Sequence, residues 1–326
     1  MLDNNWQPQC SLDALKRRAQ LFADIRRFFA LRQVLEVDTP MLSQGSISDP
    51  HIEVMTSTYT GPLAANGLTL YLQTSPEFAM KRLLAAGAGD IYQLGKVFRN
   101  EEAGRRHNSE FCMLEWYRLG LDHQQLMDEV AELLVAVAGI DAASIEKVSY
   151  LEAFERCLNV NPHTISHHAL QALAQQHAGY GAEEPDRDTL LNLLVSFVIE
   201  PSLGKAGPSF LYDYPASQAA LARTSVDKYG HGVASRFELF INGVELANGY
   251  HELTDAAEQR RRLLADGQTR LELGRPYNNP DLRLADALQA GMPDCAGVAL
   301  GVDRLLMVIQ GAGHIREVMP FTLERA

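Results

Sequence analysis

A chain of 326 residues, 46% of them hydrophobic, can bury a core of enzyme size, and 21% charged residues excludes a disordered or fibrous class. A formal net charge of −12 weighs against a nucleic-acid partner, because capturing phosphates needs a basic surface. No apolar run reaches spanning length, and MLDNNWQPQC is not a charged start followed by an apolar stretch. Cys10, Cys112, Cys157 and Cys295 form no CxxC pair, so a cytoplasmic, membrane-free protein with reduced cysteines is expected.

Leu15, Ala19, Phe22, Ile25 and Phe29 recur at three- and four-residue intervals, which predicts an amphipathic helix over 12–32. A β-branched stretch, Val34 to Val37, follows, and Pro40 stops it. TLYLQT at 69–74 alternates as a strand does. Ser75 and Pro76 suit an N-cap and a first helical position, opening a helix through Leu84 that stops near Gly87. Ile91 to Arg99 reads as a further strand, and 122–138 has helical period.

The segment 141–190 carries the least chemistry, with AEEPDRD as loop and 167–178 as a surface helix. His163, His167 and His168 read as solvated, since no acidic or Cys partner is spaced to complete a metal site. Arg260 to Arg262 read as a solvated helix face. No linker or internal repeat is visible, so one domain over 1–326 with an inserted segment is expected.

Chemistry concentrates in three places. In Phe111 to Arg118, alternation puts Phe111, Met113, Glu115 and Tyr117 on one face of a strand. Carboxylate and phenol beside apolar neighbours make a lining suited to an alkylammonium. Upstream, Arg99 ends a strand, and the loop 100–109 carries Glu101, Arg105, Arg106, His107 and Asn108. A guanidinium at a strand end is a two-pronged cation for an α-phosphate on which charge builds during carboxylate activation.

Asn242-Gly243 is the favoured two-residue hairpin turn between the alternating runs Phe237–Ile241 and Val244–Leu246. It predicts Ile241 opposite Val244, Phe240 opposite Glu245 and Glu238 opposite Ala247. Glu238 and Glu245 would then be diagonal neighbours on one face, lacking a basic partner and suited to magnesium. Finally, GVALGVDRL reads as a strand entering a helix. Val298, Leu300 and Val302 pack to one side, while Ala299 and Gly301 keep the other side low for a ligand.

FRNEEAGRRHNSEFCMLEWY (Phe98 to Tyr117) resembles motif 2 of the class II aminoacyl-tRNA synthetases, and GVALGVDRL resembles motif 3. The helix, strand and proline ending in VLEVDTPML resemble motif 1, the dimer-forming element of that family. The motifs span about 12–42, 96–118 and 297–309. The resemblance implies an α+β fold, an antiparallel β-sheet flanked by helices, and a homodimer. Similarity is closest to the lysyl-tRNA synthetase catalytic domain, from about residue 12 to 326, and weakest in 141–190.

That resemblance implies ATP and Mg2+ as cofactors, with Arg99 and Arg304 as the catalytic cations. ATP would be held by Arg99, Asn100, Glu101, His107, Asn108, Phe111, Glu245, Leu246, Gly301 and Arg304, and the metal by Glu238 and Glu245. Amino-acid contacts fall to Ser75, Pro76, Glu77, Glu115, Tyr117, Asn248, Glu252 and Ala299. Among these, Tyr117 and Glu252 would hold the distal ammonium, and Glu77 the other amino group.

Within the family, the chain looks most like paralogues that transfer a lysyl group to a protein lysine. Only eleven residues precede the first helical pattern, so no anticodon-reading OB-fold domain is expected. The acidic charge and Ala299, at a position where lysyl-tRNA synthetases have glycine, point the same way. The implied acceptor is elongation factor P. The implied substrate is (R)-β-lysine, with α-lysine used less well, activated as an aminoacyl-adenylate and with no tRNA partner. Ser109 stands where a proline usually follows His-Asn, so a looser motif 2 loop is expected.

Three other readings compete. A truncated synthetase could acylate tRNA or another small acceptor. A non-catalytic regulatory paralogue is disfavoured by the joint presence of Arg99, Glu101, Glu238, Glu245 and Arg304. An asparagine-forming relative would want a cation where Glu77, Glu115 and Glu252 are acidic.

Overall fold

In the computed structural model, which describes residues 6–326, Ser11 opens helix α1 (Leu12–Leu31) by accepting the Ala14 amide on its hydroxyl. The first five residues of the opening stretch lie outside the described residues. The buried stripe of α1 is Ala14, Leu21, Ile25, Phe28 and Phe29. This face is rotated from the expected one: Leu15 and Phe22 are half-buried and Ala19 is exposed. Two apolar stripes run along this helix, and the fold buries only one. Phe29 anchors that stripe, stacking on Tyr92 at 4.4 Å and meeting Trp116 edge-on at 5.4 Å.

The chain packs as two compact units. Unit 1 comprises Met1–Gly120, Thr254–Cys295 and Ala299–Ala326. After α1 come strands β1 (Leu35–Glu36), β2 (Leu42–Ser43), β3 (Thr56–Tyr59) and β4 (Leu68–Leu72), then helix α2 (Glu77–Ala85). Strands β5 (Ile91–Phe98) and β6 (Glu110–Leu119) form the motif 2 hairpin, paired antiparallel from Ile91↔Tyr117 to Phe98↔Glu110. β1 joins β5 in parallel, while β2, β4 and β3 make a separate antiparallel sheet. Ser75 is not the N-cap of α2. Pro76 holds that position, and Ser75 instead accepts the Glu77 amide at 3.0 Å.

Unit 2 comprises Leu121–Leu253 and Ala296–Val298. It begins with helix α3 (His123–Ala138), opened by a reciprocal cap between Asp122 and Gln125 and closed by left-handed Gly139. Strand β7 (Glu146–Ser149) and helices α4 (Tyr150–Leu158), α5 (His167–Ala178) and α6 (Arg187–Leu194) follow. Strands β8 (Ser209–Pro215), β9 (Thr224–Val226), β10 (Gly232–Ile241) and β11 (Val244–His251) complete the unit. The segment 141–190 is mostly helical and shares a core with the sheet of unit 2. Tyr150, Phe154, Leu170, Leu190, Leu194 and Ile199 pack with Leu211 and Phe240 of the sheet. Fully burying each such apolar side chain contributes about 1.5–3 kcal/mol.

The chain then returns to unit 1 with helices α7 (Ala256–Glu272) and α8 (Arg283–Gly291). Strand β12 (Cys295–Gly301) has residues in both units and runs into helix α9 (Val302–Gln310). Arg260 to Arg262 lie on α7, tied to Asp286 and Glu258 as a solvated face. The described pairings between strands within each unit are antiparallel except β1 with β5 and β7 with β8. The α+β expectation therefore holds, with two parallel exceptions.

Candidate active site

In unit 1, the β6 alternation places Glu115 and Tyr117 together as expected. Tyr117 donates its hydroxyl to Glu115 Oε1 at 2.7 Å, and Ser75 donates to Oε2 at 2.7 Å. Glu115 is 2% exposed. Burial, then the nearby Glu77 charge, push its carboxyl up to about 7, although both hydrogen bonds favour the ionised form. A site that holds an acidic group against its own desolvation is suited to an incoming cation.

Glu77 has a partner that sequence reasoning missed: Lys81, 1% exposed, donates to Glu77 Oε1 at 2.6 Å. The pair sits at i and i+4 on α2, so the predicted helix already contained the signal. A 270 Å³ cavity borders Ser75 and Pro76, but it is lined by Pro40, Leu42–Ile47, Phe78, Arg82 and Arg283 rather than by Glu115 or Tyr117.

Arg99 is fixed on two sides. Its guanidinium lies over the Phe111 ring at 5.2 Å, and Nη1 is 3.3 Å from Glu102 Oε1. Glu101, the residue chosen from sequence, is exposed and takes a left-handed φ of 66°. Asn100 is exposed, and its amide donates to the Glu53 carbonyl at 2.8 Å. Asn108 is occupied by the fold: its Nδ2 donates to the Glu110 carbonyl at 2.7 Å and its Oδ1 accepts the Leu323 amide at 2.9 Å. The loosening expected at Ser109 is not what the structure shows. A serine hydroxyl can do what a proline ring cannot, and Ser109 donates to the Glu102 carbonyl across the loop at 3.2 Å.

Motif 3 behaves as the alternation predicts. Val298, Leu300 and Val302 are at most 2% exposed, while Ala299 and Gly301 are half-buried. Arg304 donates from Nη2 to His107 Nε2 at 2.6 Å. His107 is exposed at its surface, yet partial desolvation, reinforced by the Arg304 charge, lowers its pKa from the ordinary value. The residue before Arg304, Asp303, was also missed. Buried to 2%, its carboxylate pairs with Arg18 of α1 and accepts the Cys112 amide at 2.6 Å. One side chain thereby ties together motifs 1, 2 and 3 and sets where Arg304 begins.

In unit 2, Asn242 and Gly243 both have positive φ, 53° and 69°, as the predicted turn requires. Ile241↔Val244 and Phe240↔Glu245 pair as expected, but a bulge then shifts the register, giving Leu239↔Ala247 and Glu238↔Asn248. Leu246 is the additional residue. The expectation that Glu238 faces Ala247 and lacks a basic partner is therefore corrected. Arg236, two residues earlier on the same face, pairs with Glu238 Oε1, and Tyr214 donates to Oε2 at 2.7 Å. Period-two alternation would have revealed Arg236.

Asn248 Oδ1 is buried with no hydrogen-bond partner among the described residues, an acceptor suited to an N–H group of a ligand. Gly249 lies against Phe237, where a Cβ would come within 2.4 Å of the ring. Glu252 is 1% exposed. Carboxylate oxygens at Glu238 and Glu245 match the donor chemistry of magnesium, with the Glu238 charge already offset by Arg236.

With this geometry established, comparison with known proteins is informative. The family profile described as tRNA synthetases class II (D, K and N) matches residues 6–325. The chain belongs to that family. It is 50% identical to an elongation factor P–(R)-beta-lysine ligase of Yersinia enterocolitica over 324 residues, covering 99% of this chain and 98% of the relative. The Vibrio cholerae ligase of the same name is 50% identical over 328 residues, covering all of both chains. That of Pasteurella multocida is 49% identical over 322 residues. Full-length likeness of this order makes the chain a ligase of the class II synthetase family.

Proposed function

We propose that this enzyme activates (R)-β-lysine, and α-lysine less well, with ATP as an aminoacyl-adenylate, then transfers the lysyl group to a lysine side chain of elongation factor P. The observation that carries the reading is half identity, over full length, to ligases so named. In unit 1, Arg99 and Arg304 supply cations to the ATP phosphates. Tyr117 binds the distal ammonium, with Glu115 in the polar lining beside it, and Glu77, set by Lys81, binds the other amine. Ser75, Pro76 and Ala299 complete the lining contributed by this unit.

In unit 2, the family roles for the amino acid fall to Asn248 and Glu252, and those for the nucleotide to Leu246 and Glu245. Asn100, Glu101, His107, Asn108, Phe111 and Gly301 retain their proposed ATP roles, with the Asn108 amide acting through its hold on the loop backbone. Magnesium on Glu238 and Glu245 would neutralise phosphate charge as it develops. Glu245→Ala therefore raises the magnesium concentration needed for half-maximal activation, and Glu238→Ala does so more mildly. Equal magnesium dependence in both variants and wild type would remove the pair from the site.

A two-fold homodimer through the 12–42 segment is part of the proposal. Leu12 (70%), Leu31 (77%), Leu35 (55%) and Met41 (44%) all remain exposed there. A cytoplasmic location is also proposed, and no helix among the described residues is long and apolar enough to cross a membrane.

Incubation with ATP, labelled β-lysine, elongation factor P and tRNA tests the acceptor. Label is expected on the protein. Label on RNA, or none, overturns the reading in favour of a tRNA-acylating enzyme or a non-catalytic paralogue.

Ala299→Gly tests the amino-acid preference. One methyl in a pocket is worth about 1–3 kcal/mol, so α-lysine use relative to β-lysine should rise roughly 10- to 200-fold, with ATP affinity unchanged. An unchanged ratio would show Ala299 to be packing alone.

A further inference from the structure

His163, read from sequence as solvated, is half-buried and acquires partners from far along the chain. One donor atom each from His163, Asp227 and His231 lies within 4.8 Å of the others. His167 and His168, by contrast, are exposed and outside the cluster. Asp227 and His231 bracket the turn between β9 and β10. Asp227 Oδ1 accepts the amides of Tyr229 at 2.9 Å and His231 at 2.8 Å, and Asp227 and His231 also pair through their backbones at 2.9 Å. That turn fixes the carboxylate, with Oδ2 3.0 Å from His231 Nδ1.

His163 arrives on the loop between α4 and α5 and stacks on His231, ring centroids 4.5 Å apart and planes 8° from parallel. Its Nε2 is buried and has no hydrogen-bond partner among the described residues. A buried ring nitrogen without a partner is costly unless a ligand uses its lone pair. The nearby cations are engaged elsewhere: Arg187 donates to the Pro162 carbonyl, and Lys228 lies over the Tyr229 ring.

We propose that His163, Asp227 and His231 form a binding site for a divalent transition metal, with zinc as its occupant and water as a fourth ligand. Two imidazoles and one carboxylate suit zinc and its neighbours, whereas magnesium prefers oxygen donors throughout. A metal lies in the plane of each imidazole that binds it. Binding therefore swings the two rings out of parallel and draws the donors to the ~2.0–2.2 Å bond lengths of a tetrahedral site. The ion pins the α4–α5 loop to the β9–β10 turn. Its role is to brace unit 2, independently of the proposed chemistry.

Chelator-treated, dialysed full-length protein is titrated with Co2+ and followed by its visible ligand-field bands and by calorimetry. One equivalent per chain is expected to bind, to be displaced by Zn2+, and to raise the thermal unfolding midpoint. Asp227 also closes its turn, so His163→Gln is the cleaner variant, since Nε2 has no hydrogen-bond partner among the described residues. His163→Gln and His231→Gln should each weaken binding by more than the ~10–100-fold typical of losing an outer-sphere partner. His167→Gln and Glu245→Gln should leave the bands unchanged. Absence of ligand-field bands in folded wild type would make the pair a stacked histidine couple and overturn the site. Bands that persist in the His163→Gln/His231→Gln double variant, or vanish in Glu245→Gln, would place the metal elsewhere and overturn it equally.

Discussion

Arg99→Ala and Arg304→Ala each lower amino-acid-dependent pyrophosphate exchange by about 10²–10³, the scale of losing one preorganised charge stabiliser. The scaffold around each arginine survives the change. Asp303 holds the start of α9 through Arg18 and the Cys112 amide, so truncating Arg304 leaves that anchor in place. Losing Arg99 frees Glu102 and uncovers the half-buried Phe111 at the start of β6. Unfolding midpoints close to wild type are therefore expected alongside the loss of exchange. Wild-type exchange in either variant would remove that arginine from the chemistry.

Glu115→Gln weakens binding of the diamino acid by about 10²–10⁴, because an ammonium buried beside a neutral amide loses about 3–5 kcal/mol of pairing. ATP affinity measured without amino acid should not move. The same carboxyl gives a pH signature. Its folded-state value, about 7, lies above the ordinary 4.5, so the folded protein holds a proton that the unfolded chain releases. This contribution to stability is present below about pH 4.5 and is lost as pH rises through 7.

Without amino acid, Glu115→Gln should therefore be at least as stable as wild type at pH 8, and that advantage should disappear at pH 5. Amino-acid affinity runs the other way in wild type, rising about tenfold from pH 6 to 8 as the carboxylate ionises. Thermal melts at the two pH values and a pH series of binding check both signs. A flat binding profile would take Glu115 out of ammonium recognition.

What the residues determined unaided was local. Alternation along 111–118 made Glu115 and Tyr117 neighbours on a strand of fixed period. Asn-Gly fixed the hairpin and its first two pairs. The spacing in GVALGVDRL gave a strand whose small residues face away from its packed ones. Lys81 and Arg236 belong to the same class, since i, i+4 on a helix and i, i+2 on a strand are geometric necessities.

Packing between distant segments decided the rest. The bulge at Leu246 moved Glu238 from Ala247 to Asn248, and Asp303 found Arg18 and Cys112. α1 buried one of its two apolar stripes rather than the other, and His163 met Asp227 and His231. None of these follows from period or propensity. Each is settled by which side chains fill a shared volume, and by which buried polar atoms must find partners once that volume closes.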